Sequence, residues 1–202
     1  TIEMKKTFEI LIPTDWEEVS VLKYQKYTLA VKDLTDEDEI AKQTISVLCD
    51  IPMSVISHIK LKDLKVIQKG LQKLISKPVN KQIINKINID DKMFGFHPKI
   101  DDLTMGEYVD IETFAKENDL ASMMSVLYRP ITEEQGNRYN IEPYHTSHID
   151  NRKHFEKLSI NVANAIVVFF WDLGNQQLKT IPRYLKETEK NRHPVDMDGL
   201  PS

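Results

Sequence analysis

A chain of 202 residues, 41% hydrophobic and 29% charged with a mean hydropathy of −0.41, lies outside the disordered range and is long enough to bury a real core in one large domain or two small ones. Its 27 basic and 31 acidic residues give a formal net charge of −4, so there is no positive excess to neutralise a phosphate backbone and nucleic acid is a poor expectation. Cys49, the single cysteine, sits in the apolar run Ser46-Val47-Leu48-Cys49 and reads as a small buried hydrophobe; together with the absence of an apolar leader in Thr1 to Lys6, it predicts synthesis in a reducing cytoplasm.

In chain order, Phe8 to Ile12 alternates in part and ends at Pro13, which predicts a short edge strand. Thr14 or Asp15 then caps a helix over Trp16 to Lys32, whose apolar positions recur every three to four residues. A second helix is predicted from Asp36 or Glu37 to Leu48 with Thr35 as its cap, the acidic run Asp36 to Glu39 matching the helix dipole rather than a metal. Pro52 opens a short helix, Met53 to Ile59. Another spans Asp63 to Ser76, with a stripe of Leu64, Ile67, Leu71, Leu74 and Ile75 interrupted by Gly70.

The segment Gln82 to Phe96 leans to β and turns at Asp90-Asp91, which predicts a hairpin. Thr104-Met-Gly-Glu107 has the form of a capping box opening a helix to Lys116, and Leu120 to Tyr128 reads as one more helix, stopped before Pro130. Thr132 to Ser147 is polar and reads as an exposed loop or hairpin. The longest helix is predicted over Asp150 to Leu173, with a shorter one over Gln177 to Glu187, giving a C-terminal helical region over 150–187 and a polar tail over 188–202. Ala163 to Trp171 is the most apolar run and is far short of the ~20 residues of a membrane span.

The expected fold is therefore mainly α with a small β component, an α+β chain of helical pairs with short strands or hairpins in a single compact domain over 1–202. Within it, residues 6–52 and 92–130 repeat one order of words. Lys6-x-Phe8-x-Ile10, Pro13, a helix with Tyr24, Ser46-Val-Leu48 and Pro52 match Lys92-x-Phe94-x-Phe96, Pro98, a helix with Tyr108, Ser125-Val-Leu127 and Pro130. Duplication and chance recurrence both fit this pattern, and the spacing between the Tyr and Ser-Val-Leu words differs between the copies.

Chemistry-bearing patterns are sparse. His145, His148 and His154, with Asp150 between them, are spaced so that they would converge on zinc in a metal-dependent enzyme, but no HExxH pattern accompanies them and a capping role for Ser147 or Asp150 explains the segment better. The chain has no Gly-x-Ser-x-Gly elbow, no P-loop and no Gly-x-Gly-x-x-Gly, and only six glycines. Asp90-Asp91 and Asp101-Asp102 suit turns and caps better than paired acid-base work. No catalytic, cofactor or metal residue is assigned, and the chain reads as a non-enzymatic binding or assembly component. The aromatic clusters Trp16, Tyr24 and Tyr27, and Phe169, Phe170 and Trp171, are read as core packing or as a subunit interface.

Three stretches, Trp16-x-x-Val-Ser-Val-x-Lys-Tyr-Gln25, Gly95-Phe96-x-Pro98-x-x-Asp-Asp-Leu-Thr-Met-Gly-Glu-Tyr-x-Asp-x-Glu112 and Leu127-Tyr-Arg-Pro-Ile131, resemble structural and assembly proteins of tailed bacteriophages of Bacteroidetes hosts, including the crAss-like group. The likeness spans residues about 8 to 144. It implies a virion protein: a head-tail connector (neck) or tail ring subunit that forms a cyclic homo-oligomer and contacts portal, neck or tail proteins. A tail assembly chaperone is the alternative it leaves open.

Overall fold

The computed structural model describes residues 9–78 and 82–168. By contacts the chain divides into two units, 1–166 and 167–202; the first carries nearly all the described residues. Its elements are α1 (Val21–Val31), α2 (Glu37–Leu48), α3 (Met53–Ile56), α4 (Leu61–Ile75), β1 (Lys86–Ile89), β2 (Lys92–Phe96), α5 (Met105–Lys116), α6 (Leu120–Leu127), β3 (Tyr128–Gln135), β4 (Arg138–Ile141) and α7 (Arg152–Phe155). A further helix is described over 160–168. This is a mainly-α α+β fold.

The four strands form one antiparallel sheet in the order β1-β2-β3-β4. Asp90 and Asp91, both at positive φ (50° and 61°), make the two-residue turn between β1 and β2, the conformation a hairpin needs to match strand twist and one that Asp tolerates. The expected hairpin is thus formed. β3 pairs with β2 through Tyr128 to Pro130 and with β4 through Ile131 to Gln135, so the polar segment after Pro130 takes its hairpin form, closing through Gly136 at φ 60°.

All eight residues of α6 are buried, which places this helix in the centre of the described core; Ala163, Ala165 and Ile166 of the expected apolar run are buried as well. The polar members of α6 are satisfied locally. Asp119 caps it by accepting from the Ser122 N–H, the Ser122 hydroxyl donates to the same carboxylate, and the Ser125 hydroxyl donates to the Ser122 carbonyl. Buried Gln25 of α1 accepts from the Ala121 N–H and donates to Asp119 (3.2 Å), tying α1 to the start of α6. An aromatic cluster of Phe94, Phe96, Tyr128 and Phe155 packs edge-on at ring separations near 5.4 Å (Phe94 on Phe155) and 5.3 Å (Phe96 on Tyr128).

Several sequence expectations are corrected. Residues 9–14 form no strand; Ile12 instead packs its side chain against Gly70 of α4. Neither long helix is continuous. A 3-10 turn over Trp16–Glu18, capped by Asp15, precedes α1, and a 3-10 turn over Thr146–Asn151 with the short α7 precedes the helix at 160. The two breaks meet: the Val21 N–H donates to the Leu158 carbonyl (2.8 Å), the Ile160 N–H to the Val19 carbonyl (2.8 Å), and Ser20 bridges Ser159. Two predicted helices are broken at one place because their backbones hydrogen-bond each other there.

Smaller corrections concern ends and caps. Asp36 rather than Thr35 caps α2, α3 stops at Ile56, and Tyr128, expected at the end of a helix, opens β3. Ile75, expected in the buried stripe of α4, is 49% exposed. Of the helices expected over 150–173 and 177–187 and the tail expected over 188–202, everything from 169 onward lies outside the described residues. Of the repeated word order, a 3-10 turn, a hydroxyl cap (Ser20 or Thr104) and a helix pair occur in both halves, whereas among the described residues only the second half carries a strand.

Candidate functional site

A group of buried ionisable side chains is built where β2, α5 and β3 meet. Glu107 occupies the third position of α5, and the capping box is complete: its carboxylate accepts from the Thr104 N–H and hydroxyl (both 2.7 Å), while the Thr104 oxygen accepts from the Glu107 N–H (3.3 Å). The same carboxylate faces the core, only 2% exposed. Its second oxygen, Oε1, lies 2.7 Å from Nη2 of Arg129 on β3, a close approach whose angle is not that of a hydrogen bond, so the attraction is ionic. Oε1 is also 3.7 Å from Nε2 of His97, which follows β2.

Burial sets the electrostatics of this group. His97 accepts from the Lys99 N–H at Nδ1 (3.3 Å), and desolvation holds its pKa below the usual imidazole value although Glu107 pulls the other way. Burial likewise lowers Arg129, with Glu107 opposing. Nε of Arg129 is buried without a partner, a cost that the ionic contact and the Tyr144 ring 5.7 Å from the guanidinium carbon offset. Tyr144 donates to Asp110 of α5, and burial first, then that carboxylate, raises its pKa. His148 stacks on Tyr144 (6.3 Å, 24°) and pairs with Glu142 at 2.9 Å. These contacts weld the segment after β4 to α5 and β3. Glu107, Arg129 and His97 are buried and engaged with each other, and the group as a whole stabilises a junction.

The predicted site residues are scattered. His145 caps the 3-10 turn by accepting from the Ser147 N–H, the role expected of Ser147 or Asp150; His148 pairs with Glu142; His154 pairs with Asp90 at 2.8 Å. The three imidazoles therefore have separate partners, and among the described residues no three His, Cys, Asp or Glu side chains are grouped to hold a metal ion. Cys49 is buried, and burial pushes its thiol up to about 11, the setting of an unreactive sulfhydryl. Trp16 is 7% exposed and packs edge-on to Tyr24 at 5.7 Å, so it is a core residue of its own chain; Tyr24 and Tyr27 are half-buried and 6.2 Å apart. Phe169, Phe170 and Trp171 lie outside the described residues.

What remains open to solvent is apolar and charged helix surface that sequence reading passed over. Leu61 (75%) and Val66 (63%) of α4, and Met105 (76%) of α5, project into solvent. Ile40, Ala41, Ile45, Leu71 and Ile75 line a shallow groove of about 440 Å³ between α2 and α4. Among the described residues no helix is long and apolar enough to cross a membrane. In comparison with known proteins, the chain matches no family model, no curated protein and no solved structure.

Proposed function

We propose that this chain is an assembly component that works by protein-protein contact: a head-tail connector (neck) or tail ring subunit of a tailed phage virion. The observation that carries the reading is a contrast. The buried ionisable side chains Glu107, Arg129 and His97 are engaged with each other inside the fold, whereas Leu61 and Val66 on α4 and Met105 on α5 are exposed, apolar surface that a protein partner would cover. The resemblance of the stretches at 16–25, 95–112 and 127–131 to phage structural and assembly proteins supports the viral setting. Mixing the purified full chain with portal and tail proteins of its own phage tests it. Entry into a larger complex by size-exclusion chromatography is expected, and a chain that elutes unchanged beside every such partner counts against the reading.

The α2/α4 groove favours a second reading, the tail assembly chaperone. An open channel lined by Ile40, Ile45, Leu71 and Ile75 suits transient capture of an apolar segment. A chaperone of that kind is missing from purified particles, and a ring subunit is retained in them.

A further inference from the structure

The charge of the described surface is unevenly placed. Six of the chain's 27 basic residues and one of its 31 acidic residues fall between 60 and 77, in a chain whose net charge is −4. Within α4, Lys62, Lys65, Lys69 and Lys73 follow one another at intervals of three and four, which aligns them along one face for about 16 Å. That face is opposite the buried stripe of Ile67, Leu71 and Leu74. All four lysines are exposed, no carboxylate pairs with them among the described residues, and Val66 stands exposed in their midst.

A complementary feature lies at the corner between α1 and α2. Asp33, Asp36, Glu37 and Asp38 are exposed there and none is in an ion pair among the described residues; Asp36 meanwhile caps α2. Leu29, 51% exposed, precedes them on α1. Four unpaired positive charges around an apolar side chain on one surface thus match four unpaired negative charges beside an apolar side chain on another.

We propose that the lysine face of α4 in one copy docks the 33–38 corner of a second copy, so that the chain carries both halves of its own lateral contact. The proposal rests on the assembly reading above and specifies its surface. A nucleic-acid partner fits less well: the ridge has no arginine and no exposed aromatic side chain to stack on bases, and the chain as a whole repels phosphate. A lipid surface fits less well too, because the apolar stripe of α4 is already buried in its own core. Since the two patches differ, the contact joins unlike faces, the kind that closes rings or extends chains.

Charge reversal tests this on the full chain by sedimentation velocity, with circular dichroism confirming that each variant is folded. At low salt the wild type is expected to sediment above its 23.5 kDa protomer mass, and to dissociate in about 1 M salt, where screening acts within about 3 Å. Lys65→Glu with Lys69→Glu, and separately Asp33→Lys with Asp38→Lys, should each weaken self-association about tenfold or more. An equal mixture of the two variants should recover it, since each then offers the other an opposite charge. A wild type that stays monomeric at low salt, including one that binds a short DNA duplex instead, overturns the proposal, as does a mixture that fails to recover association. Association that ignores both reversals overturns the assigned surfaces while leaving the assembly reading standing, so the two failures are distinguishable.

Discussion

At the scale of single residues, the stakes are highest at the pair Glu107 and Arg129, where two charges are almost fully removed from water. Truncation of one partner strands the other. Arg129→Met should therefore cost about 3–5 kcal/mol in urea unfolding, far more than a surface arginine would, and a loss under about 1 kcal/mol would show that the carboxylate is satisfied by Thr104 alone. His97 adds a pH dependence of known sign. Because its folded pKa lies below the usual 6.5, the unfolded chain binds more protons between the folded value and 6.5, so this residue's contribution to stability is complete above pH 6.5 and is lost as the pH falls through that window. His97→Gln should flatten the fall of unfolding free energy below pH 6.5 relative to wild type; parallel curves would mean that the histidine titrates alike in both states. Sequence alone made Glu107 visible as a capping residue, but not as an ionic partner. Nothing local to Leu127-Tyr-Arg-Pro-Ile131 announces that its arginine will meet a carboxylate 22 positions earlier.

At the scale of elements, the features legible in the sequence are those set by neighbours in the chain. The Asp90-Asp91 turn, the Thr104-Glu107 box and the helices over 37–48 and 61–75 each rest on interactions within a few residues. The missed features are long-range. Val19-Ser20 and Leu158-Ser159 carry helix-compatible periodicity and are broken only because their backbones pair across the fold. β3 was hidden for a similar reason: Tyr128 to Pro130 becomes a strand by pairing with Phe94 to Phe96, and Pro130 reads locally as a stop. Gly95 shows how tightly this sheet is filled. A Cβ there would lie 2.4 Å from the Tyr139 ring, which is pinned by donation from its hydroxyl to the Phe96 and Asn85 carbonyls. Gly95→Ala should thus destabilise the chain by about 1–3 kcal/mol. Gly106, by contrast, has open space around it at the start of α5, and Gly106→Ala should raise stability by roughly 0.5–1 kcal/mol through helix propensity. Thermal unfolding of the two variants side by side checks both signs, and equal effects would contradict the packing assigned to Gly95.

At the scale of the whole molecule, the described unit combines an interior whose buried charged groups face each other with an exterior that carries unpaired charge. Its buried polar groups cap α6, weld β3 to α5 and hold the segment after β4 in place. Composition made the broad fold class readable, since patterning at helical spacing dominates the chain. It left the charged surfaces unread, because a lysine at every third or fourth position of a helix looks like ordinary solvated surface until the structure shows that none of the four is in an ion pair among the described residues. A connector or ring subunit is retained in the assembled particle. Quantitative mass spectrometry of purified, intact phage particles measures this most directly: several copies per particle in fixed ratio to the portal protein are expected of such a subunit, and consistent absence from particles whose host lysate contains the chain would rule it out.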